Sequence, residues 1–170
     1  MGSGPAHLLN LSGEAGDDTL IGSSSNTNGA SVTNFLSGDT GNHILTGGSA
    51  TNGASVTNDI HGDEGSDTLI SGSGNDTLFG GGGWGSYAET DTFLFGLNSG
   101  RDSIGVFAAG SELGHGVIDL SAYGFTSLSE VIAQTQEDGG NSVINLDASN
   151  GVTLYSVSAS ALMSDSFIFA

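Results

Sequence analysis

Six stretches of this chain fall into one nine-residue frame, G-x-x-x-x-(D/N/H)-x-(L/I)-x. They are GEAGDDTLI from Gly13, GASVTNFLS from Gly29, GDTGNHILT from Gly38, GASVTNDIH from Gly53, GDEGSDTLI from Gly62 and, with serine in the first place, SGSGNDTLF from Ser71. A unit this short holds one turn and one very short strand, and such a strand cannot bury a single apolar side chain alone. The units must therefore stack. Position eight carries the dependable apolar residue, Leu20, Leu36, Leu45, Ile60, Leu69 and Leu78. One inward residue per strand builds a thin core between two facing parallel sheets, with the turns outside. Consecutive units alternate between the faces, so eighteen residues are expected to close one coil.

The fold class expected is all-β: a parallel β-roll over residues 8–88, then a β-rich capping subdomain over 89–170 with one short helix. Residues 1–7 read as a leader or linker, Met1-Gly2-Ser3-Gly4 having the look of an appended expression leader on a piece of a longer protein. Thirty glycines and one proline in 170 residues supply many turns of positive φ, without the proline of a disordered chain. Nineteen acids against the single basic residue Arg101 give a formal charge of −18, which argues against nucleic acid and anionic membranes as partners. Clustered aspartates in glycine-rich turns need neutralising before the chain can compact. Calcium suits them, a hard ion that takes six to eight oxygens, many from backbone carbonyls.

Other signals are negative. With no cysteine there is neither a disulfide framework nor a thiolate metal site. No run approaches the roughly 20 apolar residues of a membrane span, and no charged-then-apolar leader opens the chain. Nothing resembles a nucleophile elbow, a phosphate loop or a catalytic zinc motif, so the chain reads as a non-catalytic module. Any catalytic domain is expected upstream in a longer parent.

The nonapeptides resemble the calcium-binding repeats of the RTX (repeats-in-toxin) family. That resemblance implies that the first six residues of each unit form the ion-binding turn, with one calcium between equivalent turns of successive coils. Alternation puts the turns from Gly13, Gly38, Gly62 and Gly80 on one side, and those from Gly29, Gly53 and Ser71 on the other. The residues so implied on the first side are Gly13, Ala15, Gly16 and Asp18, then Gly38, Thr40, Gly41 and His43, then Gly62, Glu64, Gly65 and Asp67. Glu14, Asp39 and Asp63 add carboxylates there, and Asp91 stands in the place of a further repeat aspartate. On the second side they are Asn58, then Gly72, Ser73, Gly74 and Asp76. Asn34 and Asn58 occupy position six on that side, where an amide oxygen lowers the ligand charge, so calcium is expected mainly on the first.

GASVTN occurs twice, each copy preceded by extra polar residues, 22–28 and 47–52. These read as loops interrupting successive coils at one place, either tolerated insertions or a ligand surface for sugar or ice. His43 and His61 sit at different frame positions with no accompanying zinc spacing, and His43 reads as a degraded calcium position. Trp84 and Tyr87 could stack on a sugar.

From residue 90 larger apolar residues take over. TDTFLF, GRDSIGVF, VIDLSAYGF, SVINL, GVTLYSV and a terminal SFIFA from Ser166 read as strands, with SVINL and GVTLYSV paired. Ser127-x-x-Glu130 is a capping-box pattern expected to open a helix through SEVIAQTQED that ends at Gly139. Phe93, Phe95, Phe107 and Phe125 are expected in the core. The order of these segments resembles the C-terminal target domain of type I-secreted RTX proteins. It implies an uncleaved signal read by an ABC-type export channel and a cap on the open end of the roll. The function implied is a calcium-binding module, secreted or on the cell surface, disordered without calcium and folding on binding it. The alternative is a polysaccharide- or surface-binding module like the R-modules of alginate epimerases or the terminal region of adhesins.

Overall fold

A computed structural model describes residues 4–81, 89–109 and 115–170. Trp84 and Tyr87 lie outside the described residues. The strands are β1 (Ala6–Ser12), β2 (Thr19–Ile21), β3 (Ser31–Ser37), β4 (Ile44–Thr46), β5 (Ser55–Asp63), β6 (Thr68–Ile70) and β7 (Thr77–Gly81), followed by β8 (Thr92–Leu94), β9 (Arg101–Gly105) and β10 (Val117–Asp119). A short helix α1 (Leu128–Ala133) precedes β11 (Thr135–Asp138), β12 (Asn141–Asn145), β13 (Gly151–Leu154) and β14 (Phe167–Ile168).

Through β10, odd and even strands sort onto opposite walls. One sheet runs β1-β3-β5-β7-β9-β13-β12-β11 and the other β14-β10-β8-β6-β4-β2. Pairing is parallel throughout the roll and turns antiparallel only between β13, β12 and β11. The result is an all-β parallel solenoid of about four turns with a β-rich cap, as the nonapeptide frame requires. Both sheets continue without a break from the repeats into the C-terminal strands. No helix among the described residues is long and apolar enough to cross a membrane.

The coil is longer than eighteen residues. Thr19, Ile44, Thr68 and Thr92 are successive partners on one wall, 24 or 25 positions apart. Only the step from Asp59 to Thr77 spans eighteen. For the first two of the longer steps the reason is that the polar insertions are part of the coil. Residues 22–28 and 47–52 stack on each other through Ser25 N–H to Ser49 O (3.0 Å), Thr51 N–H to Ser25 O (3.0 Å) and a Ser25–Ala50 parallel bridge.

The core lies between the walls. Leu20, Leu36, Leu45, Ile60, Leu69 and Leu78 are all buried and continue into Phe93, Ile104 and Ile118. Burying one such side chain contributes roughly 1.5–3 kcal/mol, so one per strand makes a thin core. Aromatics thicken it at the C-terminal end. Phe93 and Phe107 meet edge to face with ring centroids 6.1 Å apart, and Phe95 and Phe125 are buried with them.

The expected ten-residue helix is halved. Helix α1 stops at Ala133, and residues from Thr135 pair with β12 instead. Gly139 and Gly140, at φ 59° and 88°, form the two-residue turn between them, the left-handed pair that a tight hairpin demands. The capping pattern is also shifted. Ser127 sits at the N-cap without a side-chain cap bond, while the Glu130 carboxylate accepts from Thr126 N–H (2.7 Å) and Thr126 Oγ1 (3.0 Å). These bonds hold its pKa below the ordinary carboxylate value.

Candidate metal centre

The turns on the first flank stack through their own backbone. Thr40 N–H donates to Glu14 O (2.9 Å) and Gly16 N–H to Thr40 O (2.9 Å). One coil on, Glu64 N–H donates to Asp39 O (2.8 Å) and Gly41 N–H to Glu64 O (2.9 Å). Ala15, Thr40 and Glu64 therefore form one column, as do Gly16, Gly41 and Gly65. The glycines of that column have φ between 124° and 140°, and a Cβ on Gly41 or Gly65 would collide with the carbonyl of the glycine one coil back. Backbone approaches backbone so closely that no side chain fits.

Glu14, Asp39 and Asp63 follow the first glycine of each turn in left-handed backbone, φ 66° to 71°. The Asp39 and Asp63 carboxylates run along the outside of the roll. Asp39 Oδ2 accepts from Ser12 Oγ (2.5 Å), and Asp63 Oδ2 accepts from Ser37 Oγ (2.6 Å).

Position six forms an inner ladder. Asp18 N–H donates to His43 Nδ1 (3.1 Å), His43 N–H to Asp67 Oδ1 (2.7 Å) and Asp67 N–H to Asp91 Oδ1 (3.0 Å). Each rung thus spends one acceptor on the preceding coil. The other atom is left over: Asp18 Oδ2, Asp67 Oδ2 and His43 Nε2 are buried and have no hydrogen-bond partner. Burial pushes the Asp67 carboxyl up to about 6, helped by the charge of Asp91 and opposed by the His43 N–H, and burial raises Asp91 in the same direction. His61, by contrast, lies on the outer wall, stacked on Phe79 at 4.6 Å and 3.0 Å from Asp59 Oδ1. The two histidines share no site.

The second flank is built differently from the frame read in the sequence. Gly29 and Gly53 do not hold the stacked first place of a turn. They lie at φ 75° immediately after the inserted residues, and SVTNFLS, beginning two residues after Gly29, is a seven-residue strand. The residues stacked in the first place of the turn are Gly22, Gly47 and Ser71: a Cβ on Gly22 would meet the Gly48 amide and Asn34, and one on Gly47 would meet the Ser71 carbonyl and Asn58. The insertions therefore fall inside the turn, between its first and sixth places.

The ladder on this flank runs Asn34, Asn58, Asp76, Asp102. Asn34 Nδ2 donates to Asn58 Oδ1 (2.7 Å), Asn58 N–H and Nδ2 donate to Asp76 Oδ1 (2.7 and 2.9 Å), and Asp76 N–H donates to Asp102 Oδ1 (3.0 Å). Asn58 Oδ1 also accepts from Gly48 N–H (2.7 Å), so its lone pairs are already taken and the expected amide-oxygen ligand is not offered. Asp76 Oδ2 has no partner. Burial pushes Asp76 up to about 8 and Asp102 up to about 7, against the N–H bonds that lower both. Gly72 and Gly74 take positive φ in the Ser71 turn, and Ser73 Oγ between them accepts from Ala50 N–H (2.7 Å). Asp102 was not among the residues singled out from sequence. Its signal was G-R-D-S-I, which keeps the frame's glycine, aspartate and isoleucine in places four, six and eight but lacks the opening glycine.

This donor set suits a hard cation. Among the described residues no three carboxylate or imidazole groups converge, so a bound ion would draw mostly on turn carbonyls and single carboxylate oxygens, as calcium does. The space beside Gly62 shows the cradle: a Cβ there would run into both Asp67 Oδ2, the partnerless oxygen, and the Gly80 carbonyl.

Residues 10–26 and 52–83 match the family model of the RTX calcium-binding nonapeptide repeat, in four copies. The chain carries RTX repeats. Among solved structures it is similar to the AlgE6R3 subunit of the Azotobacter vinelandii mannuronan C5-epimerase, with 26% identity and a TM-score of 0.55, over 93% of this chain and 80% of that one. Extracellular lipase LipA from Serratia marcescens matches at 15% identity and a TM-score of 0.44, over 91% of this chain and 38% of the lipase. No curated protein matches at a significant level. The RTX repeats and the R-module likeness make this a calcium-binding module. Its ladders extend beyond the matched repeats, to Asp91 and Asp102.

Proposed function

We propose that this RTX module is a calcium-gated folding unit of a secreted bacterial protein, non-catalytic itself, which carries a C-terminal type I export signal. The observation that carries the reading is that both flanks hold partnerless buried carboxylate oxygens, on Asp18 and Asp67 in the first and on Asp76 and Asp102 in the second. A buried carboxylate without a counter-charge is costly, and the thin core offers little to offset it. At the low calcium of a cytosol the chain stays unfolded and threadable. Outside, extracellular modules bind calcium with Kd around 10⁻⁴–10⁻³ M, and binding energy becomes folding energy. The ions sit between successive turns of the first flank, on the carbonyls of the columns through Gly13, Ala15 and Gly16 with Asp18, Asp67 and Asp91, and on the second flank at Asp76. Calcium titration followed by far-UV circular dichroism tests this. Strand signal should grow with calcium and vanish with chelator; a strand spectrum indifferent to chelator sinks the reading. The export signal is tested separately, by deleting residues 166–170 in a host with an ABC-type exporter and measuring protein in the medium.

A second reading is favoured by the stacked loops. Ser24, Ser25, Asn26, Ser49 and Thr51 line an open, hydroxyl-rich groove of about 380 Å³. Together with the epimerase-module likeness it supports polysaccharide binding, and the −18 charge points to a neutral chain rather than a polyuronate. Isothermal titration with neutral and uronate oligosaccharides at saturating calcium separates these.

A further inference from the structure

We infer that the side-chain amides of Asn34 and Asn58 stand in for calcium on the second flank, so that its first two inter-coil positions are held by hydrogen bonds and take no ion. The inference rests on the calcium reading of the aspartate ladders and assigns where, within that reading, ions are excluded.

Asn58 Nδ2 is surrounded by three oxygens: Gly48 O at 3.1 Å, Ser71 O at 2.9 Å and Asp76 Oδ1 at 2.9 Å. Two turn carbonyls and a repeat carboxylate are the donors a calcium ion would collect between these coils. The amide fills their centre with N–H groups instead. Asn34 repeats the arrangement one coil earlier, with Nδ2 donating to Ser23 O (3.0 Å) and Asn58 Oδ1 (2.7 Å). Both residues are fully buried, and neither leaves an amide atom without a partner.

The orientation of the amide is fixed by what lies on its far side. Asn58 Oδ1 accepts from Gly48 N–H and Asn34 Nδ2, and Asn34 Oδ1 accepts from Ser23 N–H (2.9 Å). Turning the Asn58 amide over to present its oxygen to an ion would set its nitrogen against two donors and break both of these bonds. Losing these bonds and leaving buried donors unsatisfied both oppose such a turn. The contrast with the first flank is direct. There Asp67 accepts one N–H and leaves one oxygen over; here the asparagines leave nothing over.

Two measurements test this on the full chain at saturating calcium. In nitrogen-15 NMR the side-chain amide protons of Asn34 and Asn58 should exchange slowly with solvent; rapid exchange in the folded protein overturns the inference, whether or not the chain binds calcium. In native mass spectrometry Asn58→Asp should bind one calcium more than the parent chain, and Asn58→Ala should bind no fewer. Loss of an ion in Asn58→Ala, or no gain in a folded Asn58→Asp that retains the parent's other ions, overturns it. A parent chain that binds no calcium at all refutes the calcium reading instead, and the exchange measurement then decides the inference alone.

Discussion

The carboxylate of Asp76 accepts the backbone N–H of Asn58 at 2.7 Å on one oxygen and leaves its other oxygen, buried in the turn, without a hydrogen-bond partner. These two coils are thereby tied by a bond that needs no metal, through a group whose other oxygen is left free for a cation or a proton.

Removing that charge should weaken calcium binding with little change in shape. Asp76→Asn and Asp67→Asn keep the oxygen that accepts the N–H and replace the free oxygen by an amide nitrogen. Losing an interaction with a charged group costs about 1.5–3 kcal/mol, so the calcium midpoint should rise roughly 10- to 100-fold for each. Asp59→Asn, on the outer wall beside His61, should leave it unchanged. Calcium titrations of the three variants by circular dichroism check this.

The calcium-free chain should order itself as the pH falls. Asp67, Asp76 and Asp102 stand at about 6, 8 and 7 in the fold against an ordinary value of 3.8, because burial disfavours their charged forms. A carboxyl raised on folding holds a proton that the unfolded chain has released. Its contribution is therefore fully present below about pH 4 and is lost as the pH climbs through 6 to 8. In chelator, strand signal should be greater at pH 5 than at pH 8. Near pH 7, calcium binding should release protons, measurable with an indicator dye.

Glycines in the turn columns should differ sharply in tolerance. Gly65→Ala combines φ 128° with a collision against the Gly41 carbonyl, whereas Gly16→Ala, at φ 124°, meets nothing within 4 Å. The first should abolish the calcium-induced transition. The second should cost only backbone strain, about 1–3 kcal/mol, and shift the transition to higher calcium. Thermal melts at saturating calcium rank the two.

Core truncations should report on the stack. Leu45→Ala and Leu69→Ala each empty a fully buried position between the walls and should cost about 2–5 kcal/mol in the calcium-loaded form. Ile21→Ala, on the outer face at 65% exposure, should cost well under 1. Denaturant unfolding at fixed calcium measures all three.

The leucines of place eight were legible because a short period leaves one apolar residue per strand and only one way to bury it. The flanks were not equally legible. On the first, the turns from Gly13, Gly38 and Gly62 keep the frame's spacing from first to sixth place, and the column through Gly13, Gly38, Gly62 and Gly80 falls where the frame puts it. On the second, seven and six inserted residues separate the first and sixth places of the turn, so that Gly29 and Gly53 imitate an opening glycine while Gly22 and Gly47 hold that position. The ten-residue helix was misread for a similar reason. Val131 and Ile132 suit a helix locally, but Gly139-Gly140 turns the chain back, and pairing with β12 claims the residues from Thr135.

The sequence by itself determined a stacked, acidic, all-β roll, because glycine spacing, one leucine per unit and a charge of −18 permit little else. Tertiary structure decided the register between coils, and with it which side chains meet. A column of oxygens exists only when turns 24 or 25 residues apart are superposed. Superposition alone shows that Asn58 turns its nitrogen toward the Ser71 carbonyl and Asp76, and that Asp67 and Asp76 each keep a free oxygen in the turn.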